Sequence, residues 1–181
     1  INSLNISIGT SIEIKTFKSL NDIADKIDVG QVARAPARFS INQLSRLNSD
    51  ILTQLDIRVI CERLKLDGIL FDEGIWNVIK SNIKNISEYQ AWDKIIKGSI
   101  KVDNLDSSFM KLAENLLPPE PWGDETWGNW IAKIKESSDK KGKDLFLPLR
   151  RAITGLNDGP ELKNIILLMG YDKIKDRLLG K

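Results

Sequence analysis

The chain of 181 residues contains no histidine and a single cysteine, Cys61. Without imidazole, the commonest general base, the Ser-His and Cys-His nucleophile pairs and most zinc sites are excluded. One thiol excludes an internal disulfide and a Cys-rich zinc cage, and fits a reducing, cytoplasmic setting. Neither GxxxxGK[ST] nor GxGxxG occurs, so both common phosphate-cradling loops are missing. No apolar run approaches the roughly 18 residues of a membrane span, and there is no basic-then-apolar secretory start, so no membrane partner is expected. The chain begins at Ile1, without methionine, in an apolar alternation of Leu4, Ile6 and Ile8, which reads as a piece cut from a longer protein. Basic and acidic residues nearly balance, 27 against 25, so net charge says little about partners. Any chemistry is expected to happen elsewhere.

What is present is helical periodicity. With 41% apolar residues the chain can bury one or two ordinary cores. A weak alternation at 11–15 is the one strand candidate. After Ser19, Leu20, Ile23, Ala24 and Ile27 recur at helical spacing, with Gly30 as the stop. Pro36 makes 33–39 a loop carrying Arg34 and Arg38. Ser40 with Gln43 is a capping-box signature before one apolar stripe of Ile41, Leu44, Leu47, Ile51, Leu52 and Leu55, with Arg46 and Asn48 off it. Asp56, Asp72, Ser87, Asp106 and Asp124 each precede a further amphipathic segment as N-cap candidates. The run LLPPEPWG (116–123), with three prolines and a glycine, reads as a stiff joint. The expected class is all-α.

Near the C-terminus stands KGKDLFLPLRRAITGLNDGPEL, residues 141–162. Pro148 fits the first turn of a helix of about two turns, PLRRAIT, closed by Gly155 in the left-handed cap position. LNDG is turn chemistry, Pro160 starts a second helix, and Gly170 stops it before a third short one. So short a helix is marginal alone, because nucleation is costly, and needs Leu145, Phe146, Leu149 and Ile153 to pack on neighbours. Arg150 and Arg151 then project from a fixed platform. From Lys133 to Arg151 there are seven basic and three acidic residues, a local excess that includes Lys140, Lys141 and Lys143. That arrangement suits a phosphate backbone or a base edge, where the forked donors of arginine matter. On composition alone, a solvated basic face between two core helices is the plainer reading.

The same stretch resembles the C-terminal signature of bacterial glutamyl-tRNA synthetases, in which a KGK-x-LF-x-PLR-x-ALTG run is followed by GPEL and a leucine-rich helix pair. Here KGKDLFLPLRRAITG and GPEL match nearly throughout, with Ile153 a mild change. Upstream, VARAPARFSINQL-RLN-DIL resembles that family's stem-contact segment, and LLPPEPWGDETWGNW resembles a joint and helix of members from α-proteobacteria. Together the blocks span nearly the whole chain in the family's order.

The resemblance implies the tRNA-recognition half of a class I aminoacyl-tRNA synthetase that joins glutamate to tRNA. Packed helical bundles are implied: 1–55 the remainder of a stem-contact domain, 56–117 and 118–181 two anticodon-binding subdomains. The family's His-x-Gly-His-type and Lys-x-Ser-Lys-type motifs are absent, so the piece is expected to be inert alone, with ATP and magnesium bound by a catalytic domain it lacks. By resemblance, Arg150 contacts an anticodon base, and Gly159, Pro160 and Leu162 bring backbone and an apolar side chain to the anticodon, with Arg151 and Thr154 beside them. Arg34, Arg38, Arg46 and Asn48 match the stem-contact block, where phosphate and sugar contacts position a tRNA without reading its sequence. The expected partner is tRNA-Glu, and the fragment is expected to be monomeric. Asn82 stands where discriminating members carry an arginine, which puts the rejection of tRNA-Gln in question.

Other features admit plainer readings. Trp76, Trp92, Trp127 and Trp130 lie on apolar stripes and read as core, and Trp122 as a wedge in the proline joint. Asp72/Glu73 and Asp124/Glu125 sit at helix starts, where carboxylates favour the dipole. Cys61 reads as a small buried residue. A helical protein–protein adaptor is the alternative function.

Overall fold

The computed structural model describes residues 40–181 together with Asn21, Ala24, Asp25 and Gly30. The strand candidate at 11–15 and the loop with Arg34 and Arg38 lie outside the described residues. Of the helix expected after Ser19, Asn21 and Ala24 are described and are helical. The described residues form eight helices and no strand: α1 (Ile41–Gln54), α2 (Ile57–Leu66), α3 (Glu73–Ile79), α4 (Glu88–Lys97), α5 (Ser107–Asn115), α6 (Asp124–Ser137), α7 (Gly142–Thr154) and α8 (Leu162–Leu178). The all-α expectation holds. None of these helices is long and apolar enough to cross a membrane.

The described residues divide into two compact units. One holds those up to Leu70 plus Lys80–Glu88, the other Phe71–Ile79 plus Tyr89–Lys181. In the first, Ser40 accepts the Gln43 N–H at 3.4 Å to start α1, and Asp56 accepts the Arg58 N–H at 2.8 Å to start α2. Leu47, Leu52, Ile60, Leu64 and Ile83 form the core. Ile41 and Leu55, expected on the buried stripe, are exposed, because they occupy the two ends of α1, beyond its buried turns. Segment 80–88 is tied to α1 by side-chain donors: Asn48 donates to the Lys84 carbonyl and Ser49 to that of Ile83. The Glu88 carboxylate gathers the Lys84 and Asn85 N–H groups at 3.0 and 3.2 Å.

In the second unit α8 packs on α3, α5, α6 and α7. It can touch so many partners because apolar side chains recur along both of its halves, with Leu162, Ile165, Ile166, Met169, Ile174 and Leu178 buried. Each such side chain contributes about 1.5–3 kcal/mol of burial. The expected stop at Gly170 is there: its φ of +77° and ψ of 171° break α8 into two helical segments. Glu120, from the proline-rich joint, accepts the Tyr171 N–H at 3.0 Å and so caps the second segment. Trp122 donates to the Pro118 carbonyl at 2.9 Å and meets Tyr171 edge-on, so the joint at 116–123 folds inside this unit.

Asp72 starts α3 by accepting the Ile75 N–H at 3.2 Å. Trp130 is fully buried and donates to the Ala113 carbonyl at 2.9 Å, joining α6 to α5. Asp124, read as a cap, is instead the first residue of α6; Gly123 is the cap and donates its N–H to Thr126 Oγ1 at 2.9 Å. The C-terminal end of α4 is closed by cations from α8. Lys173 donates to the Ile96 and Lys97 carbonyls, and the buried Arg177 to those of Ile95 and Gly98 at 2.7 and 3.1 Å. Positive charge there answers both the unpaired carbonyls and the negative end of the helix dipole. Arg177→Met is expected to lower stability by about 1.5–3 kcal/mol in urea unfolding, the worth of hydrogen bonds from a charged donor.

Asp106 caps α5, accepting the Phe109 N–H at 3.1 Å and the Ser108 hydroxyl at 2.6 Å, while Lys140 stands 3.2 Å from its other oxygen. The Ser108 and Phe109 donors, then Lys140, push its pKa from 3.8 down to about 2. Because the folded value lies below the unfolded one, its stabilisation is complete above 3.8 and is lost as pH falls towards about 2. Asp106→Asn should therefore be less stable than the parent at neutral pH, with the gap in urea midpoint closing across that acid window.

Candidate nucleic-acid interface

Pro148 does not start a helix. It lies in the middle of α7, which begins six residues earlier at Gly142. Proline removes one ladder N–H and crowds the carbonyl a turn before it, at a typical cost of about 3 kcal/mol. The helix runs through because Leu145, Leu149, Ala152 and Ile153 are buried on both sides of the proline and hold it in place. The predicted end is observed: Gly155 has φ +73° and its N–H returns to the Arg151 carbonyl at 2.8 Å. Thr154 is buried; its hydroxyl donates to the Arg150 carbonyl at 2.8 Å and accepts the Leu156 N–H at 3.2 Å. That hydroxyl closes the helix end rather than facing outward.

Arg150 leaves α7 and folds back on the turn that follows. Its Nη2 donates to the Pro160 carbonyl at 2.9 Å, joining the PLR and GPEL blocks directly. Its Nη1 is buried with no hydrogen-bond partner, which costs about 1–3 kcal/mol for an unmet donor. Burial lowers the Arg150 pKa and nearby Asp158 opposes the shift; arginine stays charged regardless. Gly159 has φ +133° and lies so close to the buried Trp92 that a Cβ there would stand 2.7 Å from its ring. Pro160 and Leu162 are buried beneath this turn, whereas Arg151 is exposed and donates to Asn157 at 2.7 Å.

The basic excess is partly spent inside the fold. Lys140 pairs with Asp106 and lies 4.9 Å over the Phe109 ring, while Lys141 and Lys143 are exposed. Trp127, read as core, is only half-buried, unlike Trp76, Trp92 and Trp130. It shares the face of Trp130 but sits in the first turn of α6, at the edge of the packed core. Phe146, also read as inward, is 36% exposed. Trp127, Phe146, Arg150, Glu161, Leu162 and Lys163 line an open cleft of about 280 Å³.

In the first unit Arg46 is exposed on α1 and, with Asn42, Ser45, Ser49, Asp50 and Lys84, lines a cleft of about 290 Å³. Asn48 is half-buried and commits its amide N–H to the Lys84 carbonyl, so it shapes the fold beside Arg46. Asn82 is exposed and accepts the Ser81 hydroxyl at 3.1 Å.

Residues 86–180 match the model of a family described as the anticodon binding domain. The chain belongs to that family. Over 99% of its length it is 34% identical to glutamate–tRNA ligase 1 of Parvibaculum lavamentivorans and 35% identical to glutamate–tRNA ligase 1 of Anaplasma marginale. The chain spans about 40% of the length of these relatives. A glutamate tRNA ligase structure from Elizabethkingia meningosepticum superposes over 98% of this chain with a TM-score of 0.70 at 16% identity, covering 39% of that chain, which shows a shared fold. The adaptor alternative is not favoured beside these matches.

The part matched to the anticodon binding domain contains Arg150, Arg151, Thr154, Gly159, Pro160 and Leu162, all brought together around one turn. Arg46 and Asn48 precede it, in the other unit. The cleft aromatics escaped the sequence reading, although one signal was available. Phe146 and Arg150 are four residues apart on α7, hence on one face, and Leu145, Leu149 and Ile153 alone complete the inward stripe. Gly159→Ala is expected to cost roughly 2–4 kcal/mol in urea unfolding, since a side chain would combine an unfavourable φ with a clash against a ring that has no room to retreat.

Proposed function

We propose that this chain is the tRNA-recognition part of a glutamate–tRNA ligase and holds the anticodon of tRNA-Glu while a catalytic portion, using ATP and magnesium, charges the acceptor end. Similarity along nearly the whole chain to proteins of that name carries the reading. The site supports it physically. Anticodon bases are unpaired, so their edges and faces are open to side chains. Arg150 lines an open cleft and is held beside the Gly159 turn by its bond to the Pro160 carbonyl, a fixed cationic group beside which such a base can dock. Arg151 flanks this site, Thr154 acts by fixing the end of α7, and Pro160 and Leu162 form its apolar floor. On the first unit Arg46, with Arg34 and Arg38, would neutralise phosphates of the tRNA stem, and Asn48 would set the geometry of α1. The chain itself supplies no catalytic residue and acts as a monomer in the cytoplasm. Asn82 in place of an arginine leaves tRNA-Gln as a second substrate of the parent enzyme.

The test is binding of the 181-residue chain to tRNA-Glu, tRNA-Gln and an unrelated tRNA at several salt concentrations. Affinity for tRNA-Glu is expected to fall linearly on a log–log plot with salt. Arg150→Ala should cost about 1–3 kcal/mol for tRNA-Glu and lessen the anticodon preference. An equal loss for every tRNA would move Arg150 to a phosphate contact. No binding by a folded chain at low salt would overturn the proposal.

A further inference from the structure

The cleft between α6, α7 and the start of α8 is lined by two partly exposed aromatic rings, Trp127 and Phe146. Trp127 and Phe146 lie with centroids 6.3 Å apart and planes inclined by 30°, and Trp127 is braced edge-on by the buried Trp130 at 5.6 Å. The pair therefore forms a supported apolar wall rather than two loose side chains. Cations surround it. Arg150 and Lys163 line the cleft, and Lys135 Nζ stands 5.8 Å over the Phe146 ring. Two carboxylates also face the region: Glu161 pairs with Lys163 at 2.8 Å, and Asp124 acts on Lys163 from the start of α6. With Glu161 paired, Arg150 and Lys135 leave the aromatic wall on the positive side.

We propose that Trp127 and Phe146 form a stacking subsite for one unpaired nucleobase of the RNA whose neighbouring base meets Arg150. Resting on the function proposed above, this adds a base contact that reads no hydrogen-bond edge. A flat aromatic surface binds any base by its face, so its contribution is affinity and strand direction rather than sequence choice. The guanidinium beside it adds a charged partner for the same π face or for the adjoining phosphate. A base inside a duplex already has both faces covered, so the occupant must be single-stranded or flipped out. Arg150 lines this cleft and also bonds the Pro160 carbonyl, so the aromatic pair and the turn are linked through one residue.

The experiment uses tRNA-Glu transcripts carrying a fluorescent aminopurine at each anticodon-loop position in turn, bound to the parent chain, Trp127→Leu and Trp127→Phe. In the parent, one position should be quenched on binding by stacking. Trp127→Leu should abolish that quench and weaken binding roughly five- to a hundredfold, the usual worth of one stacked base. Trp127→Phe, which keeps a ring, should retain the quench and most of the affinity. Phe146→Leu, the other ring of the pair, should weaken the same position's quench while thermal melting shows the fold intact. If Trp127→Leu binds and quenches like the parent while Arg150→Ala still weakens binding, the subsite is wrong and the anticodon reading stands. If the folded parent chain binds no tRNA, both fall together.

Discussion

The bond from Arg150 to the Pro160 carbonyl is what makes one site out of two sequence blocks. It joins the last turns of α7 to the turn that starts α8, ten residues later in the chain. The bond forms only because Gly159, with φ +133° and no side chain, lets the turn press against Trp92. Trp92 in turn is fixed by its burial within α4. The cost is visible in Arg150, whose second nitrogen is buried without an acceptor.

Around this site the second unit is held by α8, whose two halves do different work. The first half, up to Met169, supplies apolar contacts to its neighbours. The second, after the break at Gly170, closes the end of α4 with Lys173 and Arg177. Charged donors on carbonyls of a helix end satisfy groups that no backbone partner can reach. The same α4 carries Trp92, so closing its end also steadies the surface on which the Gly159 turn rests. The aromatic cleft is lined by Phe146 and Arg150, which share one face of α7.

Much of the local structure was legible from the residues. Asp56, Asp72 and Asp106 each cap a helix through a side-chain acceptor, as short polar residues before an amphipathic run should. Gly155 and Gly170 end helical segments with positive φ, because side chains disfavour that conformation. Pro148 was misread for a definite reason. Its fixed φ and missing N–H suit a first turn, yet the buried leucines on either side of it outweighed the one lost bond. Trp127 and Phe146 were misread because helical spacing names a face and not how far the neighbouring helices extend over it. Asn48, placed by resemblance in the stem-contact block, gives an amide N–H to a carbonyl 36 residues away, a contact that no local pattern announces.

The sequence by itself determined the helical class, several of the places where helices start and stop, the absence of histidine-based chemistry, and the blocks that resemble a tRNA-binding family. These are local properties, set by period, caps and residue chemistry within a few positions. Only the tertiary structure decided that Arg150 turns back onto Pro160, that Thr154 is buried, that a proline sits inside α7, and that two partly exposed aromatic rings line a cleft with the arginine. Each of those depends on which distant residues share the same space, and close packing, unlike periodicity, is settled by the whole set of neighbours at once.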